Sequence, residues 1–244
     1  MTTNSKLINQ LIIKRQIIDD VFFDFCIDRG KRMFTYFNQN SFNIFYENND
    51  YRQILDSFNV YQEGIGLFLA LRFLKIKEAE RIDATEVHEK MIKSLISKNE
   101  KIIFIGGRFE ENELFRRCKI AKLNLEYYHH GYFDLNGIDD LVQNLNSKDA
   151  KFILIGMGTP KQELLAYKLS SFFTDKKIIC IGNFMNYFLG YQKRAPKLLR
   201  VLQLEWFYRF LQDPYRLFKR YILGIPVFFW RVFKLKLNND KLLQ

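Results

Sequence analysis

A chain of 244 residues in which 48% are hydrophobic can bury a sizeable core, which excludes disordered and disulfide-scaffold classes. The net charge of +11 is local: residues 193–244 hold twelve Lys and Arg against Glu205, Asp213 and Asp240, leaving +9 there and +2 in residues 1–192. That basic segment also carries both tryptophans, Trp206 and Trp230, and basic plus aromatic points to a nucleic acid or a membrane surface.

In chain order, Lys6, Lys14 and Arg15 bracket apolar runs too short for the core of a signal peptide. Arg32 to Phe37 reads as a strand, Ser41 to Leu55 as a helix, Phe58 to Tyr61 as a strand and Gly66 to Leu74 as a helix. Asp83 followed by Glu86 forms a capping box for a helix running to about Ser97. Lys101 to Gly107, Lys151 to Gly158 and Lys177 to Asn183 are short apolar runs of the kind buried on both faces of a parallel sheet. Another strand falls around Leu123 to Tyr128, and Glu110 to Ile120, Ile138 to Asn146 and Pro160 to Phe173 read as helices. Alternating strand and helix implies an α/β fold with a Rossmann-like parallel sheet flanked by helices, whose ligands bind at the carboxyl ends of the strands. The composition shifts near Lys193, so residues 1–192 read as the core and residues 193–244 as a basic, helical appendage. Its longest uncharged run, Tyr221 to Trp230, is half the roughly 20 residues a spanning helix needs. Cys26, Cys118 and Cys180 are far apart, which favours free thiols in a reducing cytoplasm over disulfides or a zinc site.

Three clusters carry candidate chemistry. Gly156-Met157-Gly158-Thr159-Pro160-Lys161-Gln162-Glu163 follows a strand, and Thr159 suits an N-cap, Pro160 the first helical position and Gln162 the far side of a capping box. The exposed helix N-terminus this creates suits a phosphate or sugar oxygen, and a well-capped helix with no ligand accounts equally for the pattern. It is neither a Walker loop nor a dinucleotide fingerprint. His129-His130-Gly131-Tyr132-Phe133 sits on a loop where no third ligand is spaced for a metal; His130 either hydrogen-bonds in a pocket or is structural. In the basic segment a helix would gather Arg209, Arg216 and either Lys219 or Arg220 on one face, as a grip on phosphate or as a solvated charged face. Apolar neighbours such as Phe207, Phe210 and Leu211 add a membrane-facing side.

Taken together, the motifs resemble the WecG/TagA/CpsF family of bacterial glycosyltransferases (glycosyltransferase family 26) from about Arg32 to Tyr221. The ordered pattern is Gly106-Gly107, His130-Gly131-Tyr132-Phe133, Gly158-Thr159-Pro160-Lys161-Gln162-Glu163, Gly182 through Gly190, Lys193-Arg194-Ala195-Pro196, Leu204 through Arg209, and Pro214-x-Arg216. The resemblance implies an inverting, metal-independent transfer of a hexose, N-acetylhexosamine or its uronic acid from a UDP-sugar to a polyprenyl-diphosphate-linked sugar, for a bacterial surface polysaccharide. It implies no cofactor, and a place at the inner face of the cytoplasmic membrane, where the appendage touches anionic lipid and brings Arg209, Arg216 and Arg220 or Lys219 over the active site. Glu63, in Gln62-Glu63-Gly64, stands where the family has a catalytic Asp, and so becomes the candidate base. Asn186 replaces another family Asp, and Tyr36-Phe37-Asn38 replaces Thr-x-Asn, leaving Asn38 as a donor-sugar contact. Arg81, Arg194 and the glycine, His130, Tyr132, Phe133, Thr159, Pro160, Gln162 and Glu163 positions complete the implied substrate site. Two rivals remain: a family member that binds UDP-sugar without turnover, and a nucleic-acid binder using the basic tail, although no nucleic acid is expected as a partner. The tail's apolar residues also allow a homo-oligomer.

Overall fold

The structure, a computed structural model, describes residues 31–77 and 79–242. The expectations for the N-terminal segment and Cys26 lie outside the described residues. Six strands, β1 (Met33–Phe37), β2 (Phe58–Gln62), β3 (Lys101–Gly106), β4 (Asn124–His129), β5 (Phe152–Gly156) and β6 (Lys177–Cys180), form one parallel sheet in the order β2-β1-β6-β5-β3-β4. The apolar runs become strands because alternate residues fill two separate cores. Ile103, Ile105, Ile153, Ile155, Ile178 and Cys180 face one side, while Ile102, Phe104, Phe152, Leu154 and Ile179 face the other.

The first core is covered by α1 (Gln39–Glu47), α2 (Asn49–Ile54), α3 (Gly64–Phe73), α6 (Asp139–Asn146), α7 (Lys161–Phe172) and the last helix, α12 (Gly224–Leu242). The second is covered by α4 (Ala84–Ser97), α5 (Glu111–Ile120) and α8 (Phe184–Phe188). Cys118 and Cys180 are buried free thiols within these layers. The helix expected over Ser41 to Leu55 is two helices, because Asn48 leaves helical geometry and its side chain caps Tyr51 N of α2. Asp83 caps α4 as its spacing requires, accepting from Thr85 N at 2.8 Å and Glu86 N at 3.4 Å.

The chain runs from β3 out to the edge strand β4 and then back across β3 to β5, with α5 on one face and α6 on the other. Such a reversal leaves a crevice beyond the carboxyl ends of the strands. Three glycines let those ends meet closely. A Cβ on Gly106 would lie 2.5 Å from the Gly156 carbonyl oxygen, and one on Gly156 would lie 2.5 Å from that of Gly182.

After β6 the chain continues through α9 (Lys197–Val201), α10 (Glu205–Gln212), α11 (Pro214–Phe218) and a π-helical turn, Lys219–Leu223, into α12. Helix α12 returns to the core. Phe228 is fully buried with its ring 5.1 Å from Phe42 in an edge-to-face contact, and Arg231 donates to the Asn43 carbonyl at 2.9 Å and pairs with Glu47 at 2.9 Å. No helix of the described residues is long and apolar enough to cross a membrane.

Candidate functional site

The loops after all six strands open onto one cleft of about 570 Å³. They contribute Asn38 after β1, with Tyr36 at the strand's end, Glu63 after β2, Gly107 to Phe109 after β3, Gly131 and Tyr132 after β4, Met157 to Thr159 after β5, and Gly182 to Phe184 with Asn186 after β6. Arg209, Arg216 and Arg220 close it from the C-terminal segment.

Glu63 sits at the amino end of α3, its backbone tied to β1 by the Glu63 N to Phe37 O bond of 2.8 Å. The next residue holds φ +83°, a conformation natural to glycine, which explains Gly64. Burial pushes the Glu63 carboxyl above the ordinary carboxylate range. Asn38, Arg209 and Arg220 oppose that shift by favouring the charged form. Asn38 donates from Nδ2 to Glu63 Oε2 at 2.7 Å. Its Oδ1 is committed elsewhere, accepting from Asn40 N at 3.0 Å and Ser41 N at 3.1 Å as the N-cap of α1. The side chain expected to touch the donor sugar therefore also fixes the carboxylate.

Two capping expectations are corrected at the next loop. The Thr159–Pro160 peptide is cis, α7 begins at Lys161, and Thr159 does not cap it. The Thr159 hydroxyl donates instead to Glu163 Oε1 at 3.1 Å. Gln162 and Glu163, expected as substrate contacts, are fully buried beneath the loop and do not line the cleft. Glu163 Oε1 accepts from Thr35 Oγ1 at 2.7 Å and Gln162 Nε2 at 2.9 Å, and Gln162 Oε1 accepts from Gly182 N at 3.1 Å. The motif thus braces the glycine loop Gly156 to Thr159 from below. Lys161 braces its neighbour, donating to the carbonyls of Gly131 at 3.2 Å and Phe133 at 2.6 Å.

The single helical face expected for the arginines is three pieces, because Asp213 and Pro214 end α10 and start α11, and the chain passes into the π-helical turn at Lys219. Arg209, Arg216 and Arg220 still converge on the cleft, while Lys219 does not line it. Arg216 pairs with Asp213 at 2.5 Å, and Arg209 pairs with Glu205. Among the described residues the buried Nε atoms of Arg209 and Arg220 have no hydrogen-bond partner.

Of the remaining expected residues, Gly107, Gly131, Tyr132, Gly158 and Asn186 line the cleft, and Gly106 ends β3 directly behind Gly107. His130, Phe133, Pro160 and Arg194 do not. His130 Nδ1 accepts from Tyr132 N at 3.2 Å on the exposed side of its loop, and Phe133 lies under the Lys161 ammonium. Arg194 is spent on Asp83 at 2.9 Å and Glu89 at 3.1 Å, a brace between α4 and the segment after β6. Arg81 lines a smaller cavity beside the cleft. Among the described residues there is no group of three or more His, Cys, Asp or Glu side chains placed to hold a metal.

Sequence reasoning missed Tyr36, His88, Arg108, Asn183 and Tyr187, all in the cleft wall. Burial holds the His88 imidazole neutral, pushed down to about 3, with its Nε2 2.7 Å from the Tyr61 hydroxyl. Tyr36 stands two residues before Asn38 at the end of β1, and its hydroxyl occupies the space a Cβ on Gly182 would need, at 2.3 Å. Its strand-end position, and its place where the family pattern has Thr, were the signals for it. His88 lies inside a helix and gave none.

Comparison with known proteins follows the same motifs. A model described as "Glycosyl transferase WecG/TagA/CpsF family" matches residues 15–242. Similar proteins include two from Staphylococcus aureus, each named N-acetylglucosaminyldiphosphoundecaprenol N-acetyl-beta-D-mannosaminyltransferase. The one from strain MRSA252 is 30% identical over 184 residues, covering 75% of this chain and 71% of the relative. The one from strain MW2 is 29% identical over the same lengths.

Proposed function

The chain belongs to the WecG/TagA/CpsF family of glycosyl transferases, and from that premise we propose that it moves a hexose, N-acetylhexosamine or its uronic acid from a UDP-sugar to a polyprenyl-diphosphate-linked sugar, with inversion and without a metal. The relatives are named for a transfer of this kind, from an N-acetylmannosaminyl donor to an undecaprenyl-diphosphate-linked sugar. The observation that carries the reading is the position of Glu63, a carboxylate held by Asn38 at 2.7 Å on the wall of a cleft roofed by Arg209, Arg216 and Arg220.

In the proposed step the acceptor hydroxyl gives its proton to a Glu63 oxygen as its own oxygen bonds the anomeric carbon. The bond from that carbon to the UDP oxygen breaks on the opposite face, so the configuration inverts. The electron pair leaves with UDP. Arg209, Arg216 and Arg220 are placed to offset the charge growing there, and the backbone of the Gly156 to Thr159 loop offers close approach because two of its residues are glycine. The basic residues of the C-terminal segment and the exposed apolar side chains between residues 198 and 237 support a peripheral position on an anionic membrane, at its inner face.

Glu63→Gln tests the assignment, because it keeps the side chain's shape and removes its basicity. Radiolabelled sugar transfer from a panel of UDP-sugars to a lipid-diphosphate acceptor is expected to fall at least about 100-fold, the scale of general-base catalysis. UDP binding is expected to stay near the parent value. Full transfer by the variant removes Glu63 from the role, and absence of transfer by the parent with intact UDP binding favours a non-turning family member.

A further inference from the structure

Beyond Glu63 the cleft meets a second cavity of about 110 Å³. The two share Asn38, Glu63, Thr85, Arg209 and Arg220, so the carboxylate stands in the wall between them. Arg81, Arg200, Gln203 and Trp206 line the smaller cavity alone. We infer that this smaller cavity is a second anion site, separate from the one for the nucleotide, and that it takes the diphosphate of the prenyl-linked acceptor with Arg81 and Arg200 as its own cations. The inference rests on the glycosyltransferase reading above and assigns the acceptor its place within it.

Charge is the first support. Four arginines line the cavity, and its other acids besides Glu63 are already engaged: Asp83 by Arg194 at 2.9 Å, and Glu205 by Arg209 and by Arg194 at 3.7 Å. Among the described residues neither Arg81 nor Arg200 makes an ion pair. Among the described residues the buried Nε atoms of Arg200, Arg209 and Arg220 have no acceptor. Four guanidinium groups around one cavity, including Arg81 and Arg200 without an ion pair, leave positive charge there that an anion with several oxygens would match.

The apolar surface next to Arg200 in the chain is the second support, and it selects the source of the diphosphate. Arg200 lies on α9, where Leu198 and Val201 are 68% and 67% exposed, followed by Leu202 at 55%. A free diphosphate gains nothing from such a surface. A diphosphate carrying a prenyl chain can place its charge against Arg81 and Arg200 and its chain along α9 and Trp206. A sugar on the far phosphate then lies toward Glu63, facing the nucleotide-sugar cleft across it.

Calorimetry on the full chain tests the site with UDP as the probe of the cleft and farnesyl diphosphate as the probe of the smaller cavity. With UDP saturating, farnesyl diphosphate is expected still to bind with one-to-one stoichiometry, and at least about tenfold more tightly than inorganic pyrophosphate. Arg200→Gln is expected to weaken farnesyl diphosphate by about tenfold or more while leaving the UDP affinity within about twofold, which also reports that the variant is folded. Farnesyl diphosphate excluded by UDP, unaffected by Arg200→Gln, or bound no better than pyrophosphate overturns the inference. Failure of the parent to bind UDP at all would instead strike the glycosyltransferase reading.

Discussion

Asn38 joins two jobs that a pH profile separates. Its Oδ1 caps α1 and its Nδ2 holds Glu63 at 2.7 Å. Aspartate caps a helix as well as asparagine does, so Asn38→Asp is expected to keep α1 and the thermal stability close to the parent at acid pH. It replaces the donor facing Glu63 by a second carboxylate, and like charge raises the pKa of a neighbouring acid further above its ordinary value. A base works only when ionised, so the acidic limb of the kcat/KM profile is expected to move to higher pH, with the largest loss of rate on the acid side. A limb that stays in place removes Asn38 as a positioning residue for Glu63. The same sign governs stability. Burial raises the carboxyl pKa of both Glu63 and Glu163, so the fold gains from their protonated forms at acid pH and loses that gain as pH rises through their folded values. Residue types were readable in sequence as chemistry, but orientation was not. Gln162 and Glu163 belong to the same motif as the cleft-lining Gly158 and Thr159, and only the turn of the loop sends their side chains inward to Thr35 and Gly182.

Strands and their terminal glycines were legible because a parallel sheet buried on both faces demands continuous apolar runs that stop where a ligand approaches. The reading failed where a polar side chain competes with the backbone: Asn48 divides α1 from α2, and Asp213 with Pro214 divides the arginine-bearing segment. The carboxyl edge of the sheet offers a test at this scale. Gly156 contacts the Gly182 carbonyl so closely that a methyl group would lie 2.5 Å from that oxygen, and neither backbone can give way without moving β5 or β6. Gly156→Ala is expected to cost about 1–3 kcal/mol, the scale of overpacking a filled interior, read as a lower urea midpoint at unchanged slope. Because the displaced strand end leads straight into Met157 to Thr159, UDP affinity is expected to fall as well. An unchanged midpoint and unchanged UDP binding would show that the strand ends are looser than their geometry.

At the scale of the molecule, the charge asymmetry that sets residues 193–244 apart by composition does not make them a detachable tail. Phe228, Val232 and Leu235 of α12 are core residues packed with α1, so a cut near residue 193 exposes the core and cannot test membrane binding cleanly. Composition showed the basic, aromatic character of the segment, but the period of α12 alone did not reveal that one of its faces is claimed by Phe42. Its other face offers a cleaner substitution. Trp230 is 57% exposed, stacks on Phe233 and has the Lys234 ammonium over its ring, and so joins an apolar anchor to a cation on an exposed surface. Flotation with phosphatidylglycerol-containing vesicles is expected to carry the full chain upward at low salt, and neutral phosphatidylcholine vesicles to leave it behind. Raising ionic strength toward 0.15 M, where the screening length is about 8 Å, is expected to weaken but not abolish binding, because apolar contacts are not screened. Trp230→Ser removes much of that residual part, weakening it by about tenfold or more while leaving Phe228 and the core in place. Equal binding to neutral and anionic vesicles, or a Trp230→Ser variant indistinguishable from the parent, would mean that the exposed face of α12 does not meet lipid.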